Sequence, residues 1–352
     1  MRFIFYQNIL SMHQSAFLRA LADCADMDVC LVVADEAELG RDKQGWLRPD
    51  FGKCRIIMSP NEQELQDLVV QRDAVHIFTG MCAFPMVERA FKLSCSISGF
   101  RRMVFSEPWR VDGWRGKLRW LYYNWLACRY ASKVEAFLLT GKLGVESYVK
   151  AGFPREKCHE WGYFTEMPDM TRVSSLPLEH KIPRLIFIGT WDVRKNILGF
   201  VKALKSISQQ FECLLLGDGV LRQQVELEVG TDGRFKLIGN VPNTQIGAWL
   251  SACDVLVLPS IFDGWGAVVN EALMCGTRAL VSDRCGAASL IVSSKHGAVF
   301  SLSQMSEALQ EQLKIGIQIP TARSEVQAWA DANISGRAAA QRFMKICGKG
   351  NL

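Results

Sequence analysis

The chain has 352 residues, more than one ordinary domain and enough for two with ample cores. Lys and Arg number 41 against 36 Asp and Glu, and the formal charge of +5 is too mild to indicate nucleic acid as a partner. The 12 cysteines form no Cys-x-x-Cys pair, and Cys30, Cys213 and Cys253 sit in apolar runs, so reduced core thiols of a cytoplasmic protein are expected, not disulfides or a zinc site. No apolar run approaches the ~18 residues of a membrane span, and the N-terminus starts directly on a strand with no cleavable signal pattern.

In chain order, residues 2–7 read as a strand, 8–12 as a loop and 13–21 as a helix opened by His13. Asp26-Met27-Asp28 has the Asp-x-Asp spacing of a divalent-metal site, but it falls between a helix and a strand. That is the far end of the first βα unit, away from the strand ends that bind ligands, so no metal is expected there. Further strands are predicted at 29–34, 74–79, 102–105 and 136–140, with His76 a satisfied core histidine inside an apolar run. Between Arg89 and Lys133 many basic residues, among them Arg110, Arg115, Lys117, Arg119 and Arg129, face only Glu107 and Asp112 as acids. Trp109, Trp114, Trp120, Tyr122, Tyr123 and Trp125 are interleaved with them, the composition of a surface resting on anionic lipid headgroups. The alternative is that Trp120, Leu121, Trp125 and Leu126 form the core face of an ordinary helix and the charges its solvated face.

Pro168, Pro177 and Pro183 stand among polar residues, so 166–183 reads as a linker after a first domain over 1–165. The second domain, 184–323, begins with a strand at 185–188, a turn at Gly189 and the basic pair Arg194 and Lys195 ahead of a helix. A strand ending in Gly217-Asp218-Gly219 precedes a helix over 221–229, and the strand 235–239 leads into Asn240-Val241-Pro242. The buried-strand run 254–258 is ended by Pro259 and Ser260, and 268–274 has helical periodicity. Gly264 and Gly266 thus sit at a strand-to-helix turn, where the first N–H groups of the helix lack intrahelical partners and a diphosphate can lie against them. Asp263 enters that turn, and Glu271 lies roughly two helical turns deeper, where a carboxylate could accept both hydroxyls of a ribose. Strand and helix alternate throughout, which predicts doubly wound parallel sheets in an α/β chain.

The stretch 259–277 resembles the signature of the retaining family 4 glycosyltransferases, which carry a Glu-(seven residues)-Glu motif here and have the GT-B fold of two Rossmann-like domains facing across a cleft. The first Glu is Asp263 in this chain. The resemblance extends along the C-terminal half and implies a role for each matching residue. Asp263 would contact the donor hexose and Glu271 the ribose, while Gly264, Trp265, Gly266, Ala267 and Val268 would line the diphosphate. Lys195 and Arg194 would neutralise the leaving diphosphate. Thr190 stands where the family has an Arg, a gap Arg194 could fill. Gly219 and Val241 match positions at the nucleotide, the latter where backbone holds the base. In the first domain His13 would meet acceptor or donor phosphate. Glu107, at a place where several family members have a His, would contact a sugar hydroxyl or the acceptor. Lys195, Asp263 and Glu107 are therefore the candidate catalytic residues. Helices within 324–352 would cross back to the first domain.

The implied activity is transfer of a hexose, with retention, from a nucleotide diphosphate sugar to a glycan or lipid-linked glycan in envelope polysaccharide or lipopolysaccharide assembly. No cofactor and no metal are expected, and the site would be cytoplasmic, peripheral to the inner face of the cell membrane. Thr190 and Asp263 depart from the family pattern, which leaves open a nucleotide-sugar-binding subunit without turnover or a GT-B sugar-nucleotide epimerase. A nicotinamide dehydrogenase is disfavoured, since no Gly-x-Gly-x-x-Gly follows the first strand of either half.

Overall fold

A computed structural model describes residues 1–35, 49–171 and 180–348. Within these, 1–35, 49–166 and 335–348 form one compact unit and 167–171 with 180–334 a second. The expected linker, 166–183, lies partly outside the described residues.

The first unit is built on seven strands: β1 (Arg2–Ile9), β2 (Asp28–Asp35), β3 (Arg55–Met58), β4 (Ala74–Thr79), β5 (Arg101–Ser106), β6 (Ala136–Thr140) and β7 (Cys158–Trp161). All pair in parallel in the order β3-β2-β1-β4-β5-β6-β7. Both faces are covered, which is why β1 carries the uninterrupted buried run Phe3–Tyr6. Its alternate residues feed two cores: Phe3 and Phe5 join Phe17, Leu18 and Leu21, while Ile4 and Tyr6 join Val87, Phe91 and Phe137. The helices are α1 (Met12–Asp23), α2 (Glu62–Val69), α3 (Pro85–Cys95), α4 (Gly113–Tyr130) and α5 (Gly141–Lys150).

His76 is the core residue expected. Its Nε2–H donates to the Gln71 carbonyl at 2.9 Å and its Nδ1 accepts from the Tyr6 hydroxyl at 3.1 Å, while burial pushes its pKa down and keeps the ring neutral. Asp28 begins β2 and is held by Arg2 at 2.7 Å, at the amino edge of the sheet.

The second unit has six parallel strands, β8 (Arg184–Ile188), β9 (Glu212–Leu216), β10 (Phe235–Gly239), β11 (Val255–Leu258), β12 (Arg278–Ser282) and β13 (Gly297–Phe300), in the order β10-β9-β8-β11-β12-β13. Around them lie α6 (Ile197–Lys205), α7 (Arg222–Val229), α8 (Ile246–Ser251), α9 (Val268–Met274), α10 (Met305–Ile315) and α11 (Pro320–Ile334). Fully buried Asp254 ties the amino edge together: it accepts the Arg184 and Gln318 N–H groups, each at 2.8 Å, and His180 Nε2–H at 2.7 Å. A buried carboxylate is tolerable only with such donors.

The chain returns to the first unit at Ser335, eleven residues beyond the expected Ser324, because α11 packs on α9 and only α12 (Gly336–Ile346) packs on α1. Gly336 allows that approach, since a Cβ there would lie 2.1 Å from the Ala16 carbonyl oxygen. Phe343 then inserts among Phe3, Phe5, Phe17 and Trp161, with ring centroids 5.2 to 6.1 Å away. Full burial of such a ring contributes about 1.5–3 kcal/mol.

Candidate active site

In both sheets the strand order reverses beside the first strand, between β1 and β4 and between β8 and β11. Ligands of open parallel sheets bind at the carboxyl ends of the strands at such a reversal. In the second unit the loops leaving β8 and β11 carry Lys195 and Asp263, so the candidates from two distant stretches of sequence meet at the switch point.

Asp192 accepts the Lys195 N–H at 2.7 Å, and Asn196 takes a left-handed φ of 57° to start α6, which together aim the Lys195 side chain. Lys195 Nζ donates to Asp263 Oδ2 at 2.6 Å. The Arg194 guanidinium also reaches this oxygen, at 3.5 Å, but Arg194 is 47 % exposed and Lys195 only 12 %. The backbone of Asp263 is fixed by the loop after β12: its N–H donates to the Arg284 carbonyl at 3.1 Å, and its carbonyl accepts from Gly286 N–H at 3.1 Å.

Beyond Asp263 the chain turns sharply. Gly266 has φ 99°, and a Cβ there would lie 2.5 Å from Leu258 Cδ2, so the turn requires glycine. Trp265 is buried and donates from Nε1 to Asn270 Oδ1 at 2.7 Å, pinning the turn to the helix it opens. Among the described residues the N–H groups of Gly266, Ala267 and Val268 make no backbone hydrogen bond, as expected where a helix begins. Gly264 precedes them, half-buried. Glu271 lies on α9, its carboxylate has no hydrogen bond or ion pair among the described residues, and burial pushes its pKa up to about 7.

The remaining donor-side candidates flank this centre. Thr190 is exposed after β8. The Gly219 N–H is bound by Asp218 Oδ1 at 2.7 Å, and Val241 is half-buried beyond β10.

His13 and Glu107 belong to the first unit, at the carboxyl ends of β1 and β5. Ser11 caps α1, its Oγ accepting the His13 N–H at 3.3 Å. Glu107 is exposed on a loop anchored by buried Trp109, whose ring stacks on Tyr123 at 3.7 Å. A residue that no motif marked joins them: the Tyr163 ring stacks on His13 at 4.9 Å, and its hydroxyl donates to Glu107 Oε1.

Helix α4 carries a row of exposed apolar residues: Trp114, Leu118, Trp120, Leu121, Tyr122 and Trp125. Leu126 alone of the four residues assigned to an ordinary core face is buried there. Arg115, Lys117 and Arg119 share the helix, which has no acidic residue in its span. No helix among the described residues is long and apolar enough to cross a membrane.

Residues 172–327 match the family described as glycosyl transferases group 1. Among curated relatives, the putative teichuronic acid biosynthesis glycosyltransferase TuaC of Bacillus subtilis is 29% identical over 136 residues, 39% of this chain and 33% of the relative. The O-antigen chain mannosyltransferase B of Escherichia coli is 32% identical over 108 residues, 28% of each chain. The chain thus spans a third or less of the length of these relatives. Solved structures match along its whole length. The lipopolysaccharide outer core galactosyltransferase WaaB superposes with a TM-score of 0.69 at 13% identity over 99% of both chains. Anabaena Alr3699/HepE, in complex with UDP and glucose, does so with a TM-score of 0.66 at 12% identity, again over 99% of both.

Proposed function

We propose that the chain, whose residues 172–327 match the group 1 glycosyltransferases and which has the GT-B fold, moves a hexose from a nucleotide diphosphate sugar to a glycan or lipid-linked glycan, with retention, in envelope polysaccharide or lipopolysaccharide assembly. One observation carries this reading: the Lys195–Asp263 pair stands beside the uncommitted N–H groups of Gly266, Ala267 and Val268, with the unpartnered Glu271 carboxylate on the helix they open.

In this reading Glu271 accepts the ribose hydroxyls, Val241 and Gly219 border the nucleotide, and the helix start holds the diphosphate. The acceptor oxygen bonds to the anomeric carbon as the bond from that carbon to the phosphate oxygen breaks. Negative charge then grows on the diphosphate, where Lys195, Arg194 and the backbone N–H groups stabilise it. The proton of the acceptor hydroxyl passes to the leaving phosphate on the same face, so this chain's residues are not required to act as base. Asp263, held in place by Lys195, contacts the hexose, and Thr190 leaves a phosphate contact to Arg194. His13 and Glu107 serve the acceptor. The scheme calls for no metal, because Lys195 and Arg194 supply the countercharge.

Relatives named for teichuronic acid and O-antigen synthesis support an envelope glycan as acceptor. The exposed aromatic and basic face of α4 supports peripheral contact with an anionic membrane at the cytoplasmic side. Thermal-shift measurement against UDP, GDP, dTDP and CMP sugars tests the donor assignment. Binding at a hundredfold excess over Kd raises stability by about 2.7 kcal/mol, and Glu271→Ala should remove most of the shift. A protein that responds to none of these sugars is not a nucleotide-sugar transferase.

A further inference from the structure

Tyr163 follows the edge strand β7, three strands from β4 and four from β1, yet it reaches the loops after β1 and β5. It does so because the segment after β7 turns back over the carboxyl edge of the sheet. Trp161 packs its ring on Phe17 at 5.3 Å, and the Phe164 N–H donates to the His13 carbonyl at 2.8 Å. Between these two anchors the Tyr163 ring lies nearly parallel to His13, with 12° between planes, and tilts against Phe105 at 5.8 Å. Its hydroxyl donates to the exposed Glu107 carboxylate. Three loops of the ligand-binding edge therefore end in one chain of contact, His13 to Tyr163 to Glu107.

An exposed carboxylate on a loop samples several rotamers, and ordering it for a ligand costs conformational entropy unless something already holds it. A charge-assisted hydrogen bond from a ring that is itself packed does so. We propose that Tyr163 is a positioning residue that holds Glu107 and His13 as a preformed site for the hydroxyl groups of the acceptor carbohydrate. This rests on the reading of the protein as a glycosyltransferase, and it places acceptor recognition in a residue that touches no reacting atom.

The test is steady-state transfer to a panel of methyl and octyl glycosides, with the donor found by thermal shift and free nucleotide release as readout. Tyr163→Phe keeps the ring and its stack on His13 and loses only the hydroxyl. It should raise KM for the acceptor about tenfold while leaving KM for the donor where it was. Glu107→Gln should do the same, and the double variant should be no worse than Glu107→Gln alone, because Tyr163 acts through that carboxylate. Penalties that simply add, or a Tyr163→Phe enzyme with unchanged acceptor KM beside an impaired Glu107→Gln, would overturn the positioning role and leave the transferase reading standing. If Glu107→Gln is itself neutral, the acceptor site lies elsewhere and the inference falls. Nucleotide release that no glycoside stimulates in the wild type would instead overturn the transferase reading on which it rests.

Discussion

Lys195 Nζ lies 2.6 Å from Asp263 Oδ2, both side chains almost buried, although 67 residues separate them in sequence. An ammonium in a partly desolvated position interacts far more strongly with developing phosphate charge than a solvated one. Lys195→Ala should therefore lower kcat by roughly 10²-fold or more. Arg194→Ala, removing a more exposed cation at 3.5 Å, should cost less. Equal wild-type rates in both variants would move the phosphate site elsewhere.

Glu271 gives stability a pH dependence of defined sign. Its folded pKa, about 7, lies above the ordinary carboxyl value of 4.5, so the folded state keeps a proton that the unfolded chain has released. The associated stability is complete below pH 4.5 and is lost as pH rises through 7, by an amount on the order of 2–3 kcal/mol. Urea unfolding between pH 5 and 8.5 should show this decline, and Glu271→Gln should flatten it. A decline of equal size in the variant would assign it to other groups.

Transfer should survive excess EDTA, since Lys195, Arg194 and backbone N–H groups meet the diphosphate charge in the proposed scheme. Complete loss of activity, restored by Mn²⁺, would require a metal at the diphosphate.

If α4 rests on lipid, sedimentation with anionic vesicles should weaken with salt, because each Lys or Arg near the headgroups contributes about 1 kcal/mol. Replacing Arg115, Lys117 and Arg119 together by Ser should abolish it while sparing transfer to a soluble acceptor. Wild-type protein that ignores such vesicles at low salt, or a triple variant that binds equally well, would reduce the patch to a solvated helix face.

The central strands of both sheets were legible because each is buried on two faces and holds an apolar run, as residues 3–6, 213–216 and 255–258 do. Strands β3 and β7 were not: each has four residues, lies at a sheet edge, and mixes Arg55 or His159 and Glu160 into its pattern. The pairing of Lys195 with Asp263 follows from strand order, which spacing alone does not reveal, though each residue was marked by its motif. Tyr163 carried no mark, because its partners come from loops far away in sequence. Asp192 also carried no mark, although its partner is local: an Asp three residues before the backbone N–H it accepts is a recognisable cap.

The return of α12 to the first unit orders events during synthesis. Among the described residues the second unit draws only on 167–171 and 180–334, whereas the core face around Phe3, Phe5 and Phe17 lacks its covering ring until Phe343 has been made. While a ribosome adds the intervening residues at about 5–20 per second, the older half of the protein waits with that apolar face uncovered and the younger half can complete itself first. The half of the chain that is made first therefore keeps its apolar face exposed longest.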